Sequence, residues 1–178
     1  MSATVEEPPV PLCPLCGGAG KLWVRTRDRR LIRCVGCRVI FVAEGLAVDA
    51  DGISIYESAS PVFFADGNTD YYLSRASQLN AQTKLRLLEK WVPAGSRVLD
   101  VGAGFGHFLQ ACGGRYNCVG AEVSPVAVAW SERSLGVRSI CASVYDLAPE
   151  HAGPFDAITL WDVIEHLPDP SGTMAYCF

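Results

Sequence analysis

The chain has 178 residues and a net charge of −4, with hydrophobic residues at 49% and charged residues at 19%. This length allows one globular domain and a small additional module, and the composition excludes a chain that is disordered throughout. No apolar run approaches the roughly 20 residues that cross a bilayer, and the acidic start MSATVEEPPVP is not a secretory signal. We therefore expect a cytoplasmic protein, in which thiols stay reduced and the eight cysteines have a purpose other than disulfides.

The first segments of the chain differ in composition. Residues 1–11 are rich in Pro and Glu, and we expect a disordered tail there. Residues 12–43 contain four of the cysteines and three short β-type runs, KLWVRT, RLIRC and VIFVA. Residues 44–76 are irregular and are broken by Gly and Pro, but they include several Tyr and Phe residues. These aromatic residues predict a connector that packs on the next domain.

The four cysteines of residues 12–43 follow the spacing C-x2-C-x17-C-x2-C. Two residues between cysteines let both thiolates of a tight turn face one ion, and two such turns complete a tetrahedron. The spacing predicts a structural zinc site rather than incidental or redox cysteines, with iron as the other metal to consider, and its ligands are Cys13, Cys16, Cys34 and Cys37. Metal binding would drive the folding of a module this small. Gly17 suits a left-handed turn after the first pair, whereas Arg38 in the matching place predicts a less regular second turn.

Two further sets of residues carry weaker signals. The other cysteines lack a metal-site spacing, and we expect Cys112, Cys118 and Cys141 to be ordinary buried thiols. Basic residues are concentrated between Lys21 and Arg38, where seven of them stand against one acid. A solvated hairpin explains this run, and contact with a polyanion is the alternative.

Residues 77–178 alternate between helix and strand patterns. SQLNAQTKLRLLEKWV, residues 77–92, places apolar residues on one helical face. The strands RVLDV, CVGAEV, VRSICA and FDAITLW follow, with a helix at 106–112 and another that is capped by Ser124 and runs to about residue 134. Because these strands are apolar along their length, the alternation predicts an α/β fold, a parallel sheet with helices on both faces.

The loop after the first of these strands carries the pattern D-x-G-x-G-x-G, formed by Asp100, Gly102, Gly104 and Gly106. A dinucleotide fingerprint, G-x-G-x-x-G, places a pyrophosphate on the helix N-terminus, and a carboxylate at the mouth of the loop would repel it. S-adenosylmethionine (SAM) has no phosphate and carries an ammonium and a sulfonium. Glu122 ends the next strand, where a carboxylate can accept hydrogen bonds from both ribose hydroxyls. The pattern favours SAM over NAD, and a helix-dipole partner in an ordinary tight turn is the alternative.

The stretches VLDVGAGFGHFL, VGAEVSP and FDAITLWDVIEHLPDP together resemble the class I SAM-dependent methyltransferases. The preceding CPLCGG and RLIRCVGCRVIFV resemble the zinc-ribbon module that often precedes that domain in one bacterial branch. The resemblance implies a Rossmann-like sheet after a small β zinc ribbon. It places cofactor contacts at Asp100, Gly102, Gly104, Gly106, Glu122, Val123, Ser143, Val144, Trp161 and Asp162. It also makes His166 a candidate general base, with ordering of its loop as the other role.

The same resemblance implies a SAM-dependent methyl transfer to a small-molecule acceptor such as a sugar, a quinone or a polyketide-like compound. The alternatives are an RNA methyltransferase that uses the basic ribbon, and a zinc and SAM binding module without activity. The family's sheet has strand order 3-2-1-4-5-7-6, and the sequence predicts only the first four strands. We therefore expect cofactor binding with poor turnover, and a dimer or a partner chain along the open edge of FDAITLW.

Overall fold

A computed structural model describes residues 8–44, 74–151 and 153–177. These residues form two compact units, one of residues 8–44 with 167–177 and the other of 74–151 with 153–166. Most of the predicted tail and nearly all of the predicted connector lie outside the described residues, and our division into domains stays a prediction. No helix in the described part of the chain is long and apolar enough to span a membrane.

The first unit contains a three-stranded antiparallel sheet in the order β1-β2-β3. The strands are β1 (Gly20–Arg25), β2 (Arg30–Cys34) and β3 (Ile40–Val42), which match the three predicted runs. Ile32 is fully buried, and the buried Arg30 donates from Nε to Oε1 of Glu44 at 3.0 Å. Leu22, Trp23 and other apolar side chains stay exposed. The sheet therefore has a very small core, as the prediction of a metal-stabilised module requires.

The second unit is a four-stranded parallel sheet with helices, which confirms the predicted fold class. Its strands are ordered β6-β5-β4-β7, so the order reverses at β4. The carboxyl ends of β4 and β7 therefore border the crevice in which sheets of this kind bind ligands. The elements are α1 (Arg75–Leu88), β4 (Arg97–Val101), α2 (His107–Cys112), β5 (Asn117–Glu122), α3 (Pro125–Leu135), β6 (Ser139–Cys141) and β7 (Ala157–Thr159).

The core of this unit lies between α1, α2 and the sheet. Its buried cluster consists of Leu85, Leu88, Val98, Phe108, Cys112 and Tyr116. Leu99 and Val101 alternate with Val98 along β4 and are also buried, so this strand is covered on both faces. The apolar residues on both faces of β4 are thus explained by burial on both sides.

The ends of the helices follow local chemistry. Ser124 caps α3, where its Oγ accepts from the backbone N–H of Ala127 at 3.3 Å, as predicted. Helix α1 begins at Arg75, two residues before the predicted start, because Ser74 supplies the cap. A final short helix, α4 (Pro170–Cys177), belongs to the first unit and was not predicted.

The prediction of a buried Cys141 was wrong. Cys112 is buried and Cys118 is partly buried, but Cys141 is exposed. Cys141 is the last residue of β6, which is an outer strand of the sheet. Among the described residues no further strand pairs with the outer side of β6.

Candidate functional site

The glycine loop joins the carboxyl end of β4 to α2. Gly102, Gly104 and Gly106 have φ angles of 70°, 53° and 75°, in the left-handed region that disfavours side chains. A Cβ on Gly102 would collide with Val163, whereas a Cβ on Gly104 would meet no atom within 4 Å. Packing therefore excludes a side chain at Gly102, while the backbone at Gly104 borders open space.

Asp100 lies next to last in β4 and is only 2% exposed. Oγ1 of Thr159, its partner across the β4–β7 pair, donates to Oδ1 at 2.7 Å. The pKa of Asp100 is raised to about 7, chiefly by burial and to a lesser extent by the charge of Glu122, while the Thr159 hydrogen bond and the charge of Lys84 act in the opposite direction. Among the described residues no cation lies within 4.0 Å of this carboxyl group. A bound cation would favour the ionised carboxylate.

Glu122, at the end of β5, is 8% exposed and holds the glycine loop. Its Oε2 accepts from the N–H of Gly104 at 2.7 Å, and its Oε1 accepts from the N–H of Ser124 at 2.8 Å. The sequence predicted a ribose contact for Glu122 and did not predict this role in ordering the loop. Each carboxylate oxygen can accept a second hydrogen bond, so the two roles are compatible.

Lys84 is a charged residue of this region that the sequence interpretation missed. Its Nζ lies 2.7 Å from Oδ2 of Asp162 and 5.8 Å from the ring centroid of Trp161. Lys84 occupies the same helical stripe as the buried Ala81, Leu85 and Leu88. A lysine within an apolar stripe is the signal that could have identified it.

Trp161 and Asp162 lie in the loop after β7. The ring of Trp161 packs against Phe108 at a centroid distance of 5.5 Å. Its Nε1 is buried and has no hydrogen-bond partner within the part of the chain that the structure describes. Asp162 has a φ of 58°, which is rare for a residue with a side chain. A buried donor in a strained loop is the kind of group that a ligand can satisfy.

The remaining predicted site residues follow β5, β6 and β7. Val123 is 45% exposed, and Oγ of Ser143 accepts from the N–H of Tyr145, which caps the short helix Val144–Asp146. Val144 itself is buried. His166 ends the short helix Ile164–His166, in the same loop as Asp162. Because the strands are parallel, all these residues lie beyond the carboxyl ends of the strands, on one side of the sheet.

The first unit brings the sulfur atoms of four cysteines together. All four Sγ atoms lie within 4.8 Å of one another, with 3.6 Å between Cys13 and Cys37 and 3.5 Å between Cys16 and Cys34. Cys13 and Cys34 are buried, whereas Cys16 and Cys37 are exposed. Hydrogen bonds, first among them one from the backbone N–H of Cys37, lower the pKa of Cys34, whereas burial and the neighbouring sulfurs raise the pKa of Cys37. The cluster thus favours loss of a proton from Cys34, and a metal ligand must be deprotonated.

The prediction of an irregular second turn was wrong. Arg38 has a φ of 66°, and Gly17 in the matching place has a φ of 67°. The backbone N–H of Cys34 donates to the carbonyl oxygen of Val39 at 2.9 Å, and the N–H of Cys13 donates to the carbonyl oxygen of Gly18 at the same distance of 2.9 Å. The two cysteine turns therefore share a left-handed residue and a closing hydrogen bond, and the surrounding structure holds Arg38 in a conformation that its side chain disfavours.

Solved structures resemble the chain only loosely. The YcgJ protein from Bacillus subtilis aligns with a TM-score of 0.41 and 27% identity, over 51% of this chain and 41% of that one. Magnesium protoporphyrin IX methyltransferase from Synechocystis PCC 6803, solved with bound SAM, aligns with a TM-score of 0.49 and 15% identity. That match covers 68% of this chain and 70% of the other.

Curated relatives are more similar in sequence. The chain is 35% identical over 96 residues to a ubiquinone biosynthesis O-methyltransferase of Aromatoleum aromaticum, over 47% of this chain and 38% of that protein. It is 36% identical over 107 residues to the protein of the same name from Thiobacillus denitrificans, over 53% of this chain and 44% of that protein. The matched stretch thus spans less than half of each relative.

The match to a protein family is broader. The family model described as a methyltransferase domain matches residues 72–176, which is more than half of the chain. This range contains α1, the parallel sheet and the glycine loop. The chain therefore belongs to the methyltransferase domain family, among the class I SAM-dependent methyltransferases.

Proposed function

We propose that this chain binds SAM and serves the methylation of an oxygen atom on a small-molecule acceptor. The observation that carries the proposal is the buried carboxyl of Asp100, which stands beside the glycine loop without a cation partner among the described residues. The relatives named as ubiquinone biosynthesis O-methyltransferases support a small acceptor with an oxygen nucleophile. We also propose that the protein acts in the cytoplasm.

The residues beyond the carboxyl ends of the parallel strands fit SAM. Asp100 offers a carboxylate to the ammonium group, and the open space beside Gly104 leaves room for the methionine end, with the backbone of Gly102 as a further proposed contact. Glu122 retains acceptor capacity for the ribose hydroxyls. The buried Nε1 of Trp161, which has no partner among the described residues, is a further candidate donor to the bound cofactor. Gly106, Val123, Ser143, Val144 and Asp162 complete the proposed cofactor contacts.

The chemistry of the reaction divides between the cofactor and the protein. When bound, SAM supplies a methyl group on a sulfonium, which a nucleophile displaces in line. The side chains then hold the cofactor and align the acceptor. For His166, we favour an ordering role in the loop after β7 over a role as the general base, since it ends the short helix there.

We propose structural zinc in the four-cysteine cluster. Four sulfurs at about 2.3 Å from a tetrahedral zinc lie about 3.8 Å apart, close to the 3.6 Å of the Cys13–Cys37 pair and the 3.5 Å of the Cys16–Cys34 pair. Four thiolates would fill the coordination sphere, so the residues fit a structural metal rather than a catalytic one.

Calorimetry with the purified chain tests the cofactor assignment. We expect binding of SAM and of its demethylated product, and no binding of NAD, because Asp100 attracts cations and repels a pyrophosphate. Glu122→Ala removes charge-assisted hydrogen bonds worth about 1.5–3 kcal/mol each, so SAM should bind at least about tenfold more weakly. Glu132→Ala removes an exposed acid of α3 and is the matched control.

A modified ligand separates the two roles of Glu122. Against the 2′-deoxy analogue of the demethylated cofactor, the wild type should lose affinity, whereas Glu122→Ala should bind the analogue and the parent compound equally. Equal discrimination by both proteins would leave Glu122 with the loop role alone and refute the ribose contact.

We propose that the outer edge of β7 pairs with a second copy or a partner chain. Among the described residues β7 pairs with β4 alone, and an open edge of this kind favours association. Light scattering coupled to size-exclusion chromatography should show a dimer, and a stable monomer at high concentration would count against the pairing.

A further inference from the structure

The hydroxyl of Thr159 lies between two acceptors. Its Oγ1 is 2.7 Å from Oδ1 of Asp100 and 3.3 Å from the carbonyl oxygen of Leu99. Both side chains are buried, with Thr159 at 8% and Asp100 at 2% exposure. A hydroxyl carries one proton and can also accept hydrogen bonds. It can therefore serve only one of the two oxygens as a donor at a given moment.

Each charge state of Asp100 has its own arrangement. When Asp100 is ionised, the Thr159 hydroxyl donates to the carboxylate, which is the shorter of the two contacts. When Asp100 is protonated, its own O–H can donate to Thr159 Oγ1, and the threonine proton can turn to the Leu99 carbonyl. The first arrangement is charge-assisted and stronger, so the hydroxyl favours the ionised carboxylate.

Other groups that act on Asp100 come from three elements. Lys84 on α1 favours the ionised form, and Glu122 on β5 disfavours it. The thiols of Cys112 on α2 and Cys118 on β5 are also close enough to sense its charge. The hydrogen bond between these two thiols raises the pKa of Cys112 and lowers the pKa of Cys118, and the charge of Asp100 acts upward on both. The charge of Lys84 is shared with Asp162, to which Lys84 is paired. The hydroxyl of Thr159 is a neutral group that stabilises the ionised Asp100 through a direct hydrogen bond.

We infer that Thr159 is a positioning residue that controls the protonation of Asp100, and thereby the pH range in which the chain binds SAM. The inference rests on the proposed function. Only the ionised Asp100 attracts the ammonium of SAM, so affinity should fall as the pH drops below about 7 and should approach a tenfold loss per pH unit. Thr159 extends the range of tight binding toward lower pH.

The test compares wild type, Thr159→Val and Thr159→Ser by calorimetry with SAM between about pH 5.5 and about pH 8.5. Thr159→Val keeps the shape and loses the hydroxyl, so the midpoint of its pH profile should move up by about one pH unit. Binding should then be about fivefold weaker at pH 7 and approach a tenfold loss below about pH 6. Near the upper limit its affinity should return to within about threefold of wild type. Thr159→Ser should restore the wild-type profile. Titration of the ligand's own amino group cancels because all variants are compared at the same pH.

A second measurement needs no ligand. Carbon NMR of the aspartate carboxyl groups, with the Asp100 signal assigned by its loss in Asp100→Asn, should show a higher titration midpoint in Thr159→Val than in wild type. Equal midpoints, or affinity reduced equally at every pH, would overturn the inference. Failure of wild type to bind SAM at any pH would refute the proposed function and the SAM part of the inference, while the NMR titration would still decide whether Thr159 controls Asp100.

Discussion

Removal of the metal from the four-cysteine cluster is expected to unfold strands β1 to β3 and to leave the parallel sheet folded. The small sheet buries Ile32 and few other apolar side chains, so burial alone supplies little stability. Zinc binding to such sites contributes roughly 10–16 kcal/mol, which is folding free energy for a module of this size. The parallel sheet has a separate buried cluster that includes none of the four cysteines of the metal site.

Elemental analysis should find one zinc per chain, and a strong chelator should remove the dispersed NMR signals of β1 to β3 only. Cys34→Ser should produce the same loss without a chelator, whereas Cys141→Ser, at an exposed cysteine outside the cluster, should change neither the metal content nor the spectrum. Iron in place of zinc would change the metal and keep the site. A metal content near zero in protein that shows a folded small sheet would rule out the metal site.

Asp100→Asn is expected to stabilise the protein and to weaken SAM binding. The pKa of Asp100 in the folded chain is about 7, above the ordinary value of 3.8. Between these two values the folded state holds a proton that the unfolded state has lost, so stability falls as the pH rises and the full loss is reached above about pH 7. The loss is up to about 4 kcal/mol, at 1.4 kcal/mol per decade. Asparagine is neutral at every pH, so the variant avoids this loss of stability, but its side chain offers no charge to a cation.

Urea unfolding near pH 8 should show the variant more stable than wild type by up to about 4 kcal/mol, and the gain should vanish near pH 4. SAM affinity should drop at least about tenfold at neutral pH, since a charge-assisted contact is lost. Asp146→Asn, which alters an exposed acid, should change neither quantity. A variant that is less stable than wild type at pH 8 would show that the ionised Asp100 does not destabilise the folded state.

Much of the fold could be predicted from the sequence because its signals are local. The apolar runs that became β4 to β7, the Ser124 cap and the glycine pattern after Asp100 each lie within a few neighbouring residues. The spacing of the cysteines likewise depends on two short turns, and the structure brings all four sulfurs together. Periodicity, capping and turn geometry act over such distances, so the order of the elements follows from them.

The tertiary structure alone decided the contacts between residues that are distant in the chain. Thr159 meets Asp100 only because β7 pairs with β4, and Lys84 meets Asp162 only because α1 packs beside the loop after β7. The left-handed backbone of Arg38 contradicts its local preference, since the second cysteine turn imposes that conformation. The sequence by itself thus determined the elements and the candidate residues at the carboxyl edge of the sheet. Packing determined the charge states and the hydrogen-bond partners of these residues. Burial and contacts with side chains from distant parts of the chain act through space, so they leave no periodic pattern in the sequence.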